Sequence, residues 1–371
     1  MSKYELREKD FEGFFQAPFE AYGSDSPYVS LFKPDLERFL NKKENPLFSK
    51  YGDFTYFVVY RDQRPVGRIV AHIHHSSNER HSLKWSYFGF FDCDQDPQVA
   101  KMLLEAAENW GRAQGAKEIV GNMNLTAMQQ IGVMTDLFEN APYSDQVYSP
   151  AHIASHLESH GYGKFFPSTT FELDLTQFDS ESLLKGRVAT LKESGTVQLK
   201  TPSRWGLAKY LEHARLVLNA GFDKNPFFVP VTAEEFHFQA KDMMWVIDPR
   251  ITTFAYQGEK PVGVVICIPD LNPLLKATES RLSWKILSHY FRFRMNRKRA
   301  VIIYYSVTPD NHGQGTAGLM LYETVKALKA SGYEKLAFTW IADENIGSIR
   351  QTERLGAKPL HRLHLFKKDL A

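Results

Sequence analysis

The apolar positions of this chain come in short runs rich in β-branched and aromatic residues, separated by longer stretches with helical spacing. In the first half the pattern predicts a strand hairpin at Asp53–Asp62 and Val66–His75, and a third strand at Lys84–Cys93. A long helix at Pro97–Gln114, a fourth strand at Glu118–Asn122, a helix at Pro150–Gly161 and a final strand at Ser168–Leu175 follow. The second half repeats the pattern. Tyr60–Ile73 (YRDQRPVGRIVAHI) parallels Tyr256–Pro269 (YQGEKPVGVVICIP), and HLESHGYGK around Gly161 parallels QTERLGAKP around Gly356. The interval from Gly67 to Gly161 equals that from Gly263 to Gly356 to within one residue, which argues for a duplication. The interval from Gly263 to Gly332 is longer than that from Gly67 to Gly115, so the second copy carries an insertion before its central helix. Asp179–Asp248 reads as helical, with Leu207, Leu211, Ala214, Val217 and Leu218 on one face, and is expected to join the halves. Strands alternating with helices imply an α/β (α+β) architecture of two tandem domains, 1–178 and 179–371, each a mixed sheet flanked by helices.

Composition adds bounds. A chain of 371 residues, 43% hydrophobic and 24% charged, suits two packed domains. No apolar run reaches the roughly 20 residues of a membrane-spanning helix. The charged opening MSKYELREKDFEGFF is unlike a signal peptide, so a cytoplasmic protein is expected. Cys93 and Cys267 lie in apolar runs and are expected to be core thiols. His72 and His74 share a strand face near His75 and His81. No carboxylate or cysteine stands at ligand spacing, so a metal site is not expected. With 45 basic against 43 acidic residues, the chain has no nucleic-acid signature. Charge is concentrated instead in Lys285–Ala300, where Lys285, Arg292, Arg294, Arg297, Lys298 and Arg299 alternate with Ile286, Leu287, Tyr290, Phe291 and Phe293. Such a segment suits peripheral contact with an anionic membrane, attraction of an anionic ligand, or a solvated helix face packed on the core.

The most specific chemistry lies in Val301–Leu321, VIIYYSVTPDNHGQGTAGLML, where an apolar strand enters a glycine-rich turn that opens a helix. Glycines let the backbone turn sharply, and the unpaired N–H groups of the helix start then face an anion. The turn lacks both the Lys-Ser/Thr of a triphosphate loop and the spaced glycines of a dinucleotide fold, so another phosphate carrier is needed. His312-Gly313-Gln314-Gly315-Thr316-Ala317 resembles the Arg/Gln-x-x-Gly-x-Gly/Ala motif of the GNAT (N-acetyltransferase) superfamily, with His312 where Arg or Gln is usual. The strand Lys335–Ile341 followed by Asn345, Ser348, Leu355, Gly356 and Ala357 resembles that family's second anchor in register. PFEAYGSDSPYVSLFKPDLERFLNKKENPLF, FGFFDC, GNMN, PDLNPLL and TWIADEN further resemble bacterial double-GNAT proteins, some of which are thought to acylate the amine of a sphingoid base.

The resemblance implies an acyl-CoA-dependent N-acyltransferase, with acyl carrier protein as an alternative donor. Backbone N–H groups from Gly313 through Gly318 would hold the pyrophosphate. Tyr305, Ser306 and Val307 would pair with the pantetheine amides, with an oxyanion donor near Val307, and Asn345 and Ser348 would complete the cofactor site. The family's tyrosine acid is replaced here by Thr352, which leaves Tyr305, His312 and Glu344 as candidates for proton transfer. In the first half, CDQDPQVAKML has carboxylates where the second half has glycines, so only the C-terminal half is expected to bind the cofactor. The loop GNMNLTAMQQIG follows a core strand, and Asn122, Asn124 and Thr126 are expected to contact the acceptor, a small-molecule or lipid amine. A scaffold retaining only the fold, and a small-amine acetyltransferase, remain alternatives. Thr352 favours the scaffold; the glycine turn favours an enzyme.

Overall fold

The computed structural model describes residues 3–203, 206–223, 227–240, 247–284 and 286–370. Hairpin turns organise each half. Asp62 and Gln63, both at positive φ, close β2 (Gly52–Arg61) onto β3 (Arg64–His74), and Gly258 at φ 60° does the same between β9 (Thr253–Gln257) and β10 (Lys260–Pro269). The remaining strands are β1 (Tyr4–Glu8), β4 (Trp85–Cys93), β5 (Glu118–Gly121), β6 (Val133–Asp136), β7 (Gly163–Asp174), β8 (Gln198–Lys200), β11 (Arg299–Val307), β12 (Lys335–Ala342) and β13 (Lys358–Asp369). They form one mixed sheet in the order β1, β2, β3, β4, β5, β13, β7, β12, β11, β10, β9, β8, with β6 beside β13. Among the described strands, only β4 with β5 and β11 with β12 pair in parallel.

The helices are α1 (Phe11–Tyr22), α2 (Lys33–Phe39), α3 (Pro46–Lys50), α4 (His75–His81), α5 (Pro97–Ala113), α6 (Ala151–Ser159), α7 (Arg187–Ser194), α8 (Leu207–Gly221), α9 (Ala233–Ala240), α10 (Asn272–Ala277), α11 (Ile286–Asn296), α12 (Thr316–Ala330) and α13 (Ile346–Arg354). α5 begins where Asp96 caps the Gln98 N–H and Pro97 takes the first turn, then buries Val99, Ala100, Leu103, Leu104 and Ala107 at helical spacing. Each fully buried leucine there contributes about 2 kcal/mol over an exposed one. α12 buries Leu319, Met320, Val325 and Leu328 against the second half of the sheet in the same way.

Two features go beyond the sequence pattern. The stretch expected to be a helical joint opens the second copy: β8 pairs with β9 as β1 pairs with β2, and α8 lies on β10 and β11 as α1 lies on β3 and β4. Leu211, Ala214, Val217 and Leu218 form its buried face, as their spacing predicts. More consequentially, the halves exchange their last strands. β13, from the end of the chain, inserts between β5 and β7, with Phe366 opposite Gly121 and Lys367 opposite Gly163. β7, from the first half, pairs with β12, Lys335 standing opposite Asp174 and Ala342 opposite Ser168.

Strand exchange makes each half depend on the other for backbone pairing. Residues 179–371 alone would leave β12 without β7, and β13 without β5, β6 and β7. That fragment should show no cooperative thermal transition by circular dichroism, and should regain one when co-expressed with residues 1–178. A fragment that unfolds cooperatively as a monomer would show that the exchange is dispensable.

Candidate functional site

β11 and β12 run together only from Arg299 opposite Lys335 to Ile302 opposite Phe338. Ile303 then bulges out of register with β10, since Ile302 faces Cys267 while the next paired residue, Tyr304, faces Ile266. A bulge bends and twists its strand. Beyond it, Tyr304–Val307 keep β10 on one side and have no strand on the other. A cavity of about 610 Å³ opens between the parted strands. Into it the structure brings Tyr305, Ser306, Val307, His312, Ala317, Glu344, Asn345 and Ser348, together with Gln351 and Thr352.

The glycine turn stands at one end. Gly313 and Gly315 adopt φ of 72° and 96°, and Gly315 precedes α12 without any side-chain cap on the helix N–H groups. The side chains of the turn fold back on it: His312 Nε2 lies 3.1 Å from the Val307 carbonyl and Gln314 donates to the Asp310 carbonyl. α7 packs over the turn, with Arg187 donating to the Gly313 carbonyl at 2.6 Å. A Cβ on Gly318 would lie 2.7 Å from Val188, and one on Gly315 would lie 3.0 Å from the Arg187 carbonyl oxygen. The Thr316 hydroxyl is buried without a partner among the described residues.

At the other side, Tyr305 and α13 face each other. Gln351 donates to the Tyr305 hydroxyl at 2.7 Å, and no described residue accepts the phenol proton. Burial pushes this phenol's pKa up, while the Gln351 hydrogen bond works in the opposite direction. Thr352 is buried, and its hydroxyl donates to the Ile349 carbonyl at 2.8 Å, within its own helix. Asn345 caps α13 by accepting from the Ser348 N–H, and Glu344 is exposed at the mouth.

The first half has the same geometry with a different outcome. β4 and β5 pair as far as Phe88 opposite Gly121, and β4 bulges at Phe90 and Phe91. There the chain plugs its own opening: Asn122 accepts from the Phe91 N–H and Asn124 from the Phe90 N–H. The Asn122 and Asn124 amides also bond each other and Gln130, and Thr126 accepts from the Met128 N–H within the loop. These three expected acceptor contacts are thus turned to structure, and Ala127, Met128 and Gln129 of the same loop line the cleft instead. At the start of α5, Asp96 caps the helix while Arg61 holds Asp94 and Asp96 at 2.6 and 2.9 Å. Carboxylates occupy the place an anion would take. His72 and His74 stack beside Tyr87, 3.1 Å apart, and burial pushes both pKa values down, His74 to about 4. They pack as neutral rings. Cys93 and Cys267 are buried, as expected, and burial raises both thiols.

Known proteins share this fold. Residues 222–357 match the acetyltransferase (GNAT) family. The chain is 24% identical to Protein YghO of Escherichia coli, covering 98% of this chain and 94% of that one. It is 24% identical to the bacterial ceramide synthase of Caulobacter vibrioides, covering 97% and 95%. Among solved structures, a tandem GNAT protein from the clavulanic acid biosynthesis pathway superposes over 100% of this chain and 99% of its own, with TM-score 0.60 and 12% identity. A GNAT protein from Sphaerobacter thermophilus covers 99% and 96%, with TM-score 0.55 and 13% identity.

Gln351, Arg187 and Asp145 also reach the cleft or its glycine turn without having been singled out in the sequence. Gln351 could have been found by helical spacing, since it stands three positions after Ser348 on α13. Arg187 and Asp145 arrive through tertiary contacts that no local pattern announces.

Two outcomes follow for this site. Gly315→Glu should abolish CoA binding in calorimetry with the fold intact by circular dichroism, while Asp96→Ala should leave it unchanged; equal losses would contradict a single cofactor site. Thr352→Ala should keep acyl transfer within about tenfold, about 1.4 kcal/mol, whereas Tyr305→Phe should lower kcat by about 100-fold. A reversed ranking would return the proton-donor role to Thr352.

Proposed function

We propose that this chain, which belongs to the tandem GNAT acyltransferases, moves an acyl group from acyl-CoA onto an amine, and that the acceptor is lipid-like. The observation that carries this reading is the parted β11 edge meeting the glycine turn at one end and an apolar chamber at the other. Apart from the His312 ring at the Val307 carbonyl, Tyr305–Val307 offer a strand edge with no described strand beside it, of the kind pantetheine amides pair with, and the uncapped start of α12 with the Thr316 hydroxyl, partnerless among the described residues, suits a phosphate. When bound, the donor supplies a thioester carbonyl. The protein's part is to hold that carbonyl at the Val307 edge, to keep water out with aromatic walls, and to present the Tyr305 hydroxyl, with Gln351 at its oxygen, toward the departing sulfur. His312 shapes the turn, and Glu344 is placed to relay a proton at the mouth.

Phe166, Phe222, Phe228, Phe338 and Trp340 line the rest of the cleft, which favours long acyl chains and apolar amines over acetyl donors. A relative carrying the name bacterial ceramide synthase points the same way. The insertion supplies an outer surface of matching character. Trp284, Leu287, Phe291 and Met295 are 83%, 66%, 64% and 82% exposed, an apolar strip turned outward rather than toward the core. Of the basic residues expected to act here, Arg297 pairs with Asp248, Lys298 with Glu334, and Arg299 with Asp270 over the Tyr143 ring. Lys285 lies outside the described residues. Arg292 and Arg294 therefore carry the outward charge. No helix of the described residues is long and apolar enough to cross a membrane. On this reading the protein works in the cytoplasm and touches the inner membrane face through α11, where acyl-CoA, or an acyl carrier protein, and a lipid amine would meet.

Thiol release from palmitoyl-CoA and acetyl-CoA, with dodecylamine as acceptor and the amide identified by mass spectrometry, tests the activity. Palmitoyl-CoA should be the better donor. Replacing Arg292 and Arg294 by Gln and Phe291 and Met295 by Ser should weaken binding to phosphatidylglycerol vesicles, each charge accounting for about 1 kcal/mol, and added salt should reproduce part of that loss. A wild type that ignores vesicles at low salt and prefers acetyl-CoA would replace the lipid reading with a small-amine acetyltransferase.

A further inference from the structure

Asp145 belongs to the first half, between β6 and α6, yet its side chain lines the cleft of the second. The turn that carries it is clamped on all sides. Tyr143 N–H donates to the Gln146 side chain at 2.9 Å, Ser144 donates from N–H and hydroxyl to Asp270, and Gln146 Nε2 donates to the Phe338 carbonyl at 3.1 Å. Phe338 is the last residue of β12 that pairs with β11, so the clamp fixes the turn at the point where the cleft begins. Between its two tethered neighbours Asp145 sits at φ 67°, a left-handed conformation held in place by those bonds.

The carboxylate itself has no hydrogen-bond or ion-pair partner among the described residues, and no lysine or arginine lines the cleft among them. Beside it stands Tyr304, whose hydroxyl donates to the Met128 carbonyl; the same cleft is lined by Gln129, whose Oε1 is buried without a partner among the described residues, and by the apolar chamber. The groups that titrate or carry charge around the cleft are Tyr304 and Tyr305 on β11, His312 in the glycine turn and Glu344 at the mouth. Asp270 with Arg299, and Glu172 with Tyr143, flank the clamped turn. Tyr304 packs with the α8 side of the sheet and Tyr305 with the α12 side. The donor's phosphates belong on the α12 side, so Asp145, beside Tyr304, stands on the opposite side, from which an acceptor must come.

We propose that Asp145 anchors the acceptor, its carboxylate pairing with the substrate's ammonium group and removing the proton that blocks attack. The inference rests on the acyltransferase reading. An amine enters as its ammonium ion; one N–H proton passes to the Asp145 carboxylate, and the freed lone pair forms a C–N bond to the thioester carbonyl carbon. The C–S bond then breaks. The second N–H proton ends on the thiolate sulfur, by way of the Tyr305 hydroxyl, and Asp145 returns its proton to water after the amide leaves. Burial already pushes the Asp145 pKa up to about 7, a value suited to taking a proton near neutrality; burial first, and the Asp145 charge second, hold the Tyr304 phenol up.

The sign of the pH effects follows. The folded pKa lies above the unfolded value of 3.8, so stability falls as pH rises toward 7, and above it the native state carries an uncompensated anion. Asp145→Asn, and Asp145→Gly, whose backbone accepts the left-handed conformation, should each keep CoA binding and hold or raise Tm at pH 8. Both should lose about 100-fold in kcat/KM with dodecylamine and palmitoyl-CoA. Wild-type kcat/KM should fall below about pH 7, and this limb should vanish in both variants. In binding at pH 8 without any thioester, wild type should prefer dodecylamine to dodecanol and the variants should not. A wild type that binds no CoA and acylates no amine would overturn the acyltransferase reading. A wild type that does both, with variants that retain the rate and the preference for the amine, would overturn the role of Asp145 alone.

Discussion

Where two parallel strands part, their facing N–H and C=O groups must find partners elsewhere, because a buried backbone group left unpaired costs about 1–3 kcal/mol. This constraint arises twice in the molecule, after Phe88 and Gly121 and again after Ile302 and Phe338. In the first half the chain meets it internally, with Asn122 and Asn124 taking the N–H groups of Phe91 and Phe90. In the second half no described strand does so: apart from the His312 ring at the Val307 carbonyl, the Tyr305–Val307 edge is left open. Two copies of one fold thus differ chiefly in who satisfies the same strand edge.

The exchange of β7 and β13 gives that difference its mechanical setting. Because β7 pairs with β12, elements of the first half are delivered to the rim of the second half's cleft, and Gln146 reaches the Phe338 carbonyl at its apex. Loops that would be peripheral in an isolated domain become walls. Met128 and Asp145 face Tyr304 only because the sheet is continuous through the exchanged strands.

Much of the fold was legible in the sequence, because hairpin turns, the capped α5 and the repeated Pro-Val-Gly segments are local signals. The glycine turn and the residues on either side of the cleft were legible for the same reason: Tyr305, His312, Ala317, Asn345 and Ser348 lie within two short segments whose spacing is set by one strand, one turn and two helix starts. The strand exchange was not, since pairing partners as far apart in the chain as Lys335 and Asp174, or Asp369 and Glu118, leave no periodicity. The roles of Asn122 and Asn124 were ambiguous at the sequence level because a polar, glycine-bounded loop looks the same whether its amides face a ligand or the chain's own backbone. The basic insertion was half legible. Its composition showed an amphipathic segment, but not that Arg297, Lys298 and Arg299 turn back to Asp248, Glu334 and Asp270 while Phe291 and Met295 turn outward.

The plug of the first half also serves the cleft of the second. Asn122 and Asn124 fix the start of a loop whose continuation, Ala127–Gln129, lines the cleft of the second half, and Met128 accepts the hydroxyl of Tyr304 there. Removing the plug's hydrogen bonds would therefore loosen a wall of the remaining cleft as well as the strand edge it covers. Closing one opening with the chain's own amides supplied a rigid wall for the other. A duplicated fold can in this way close one opening and wall the other through the same few residues.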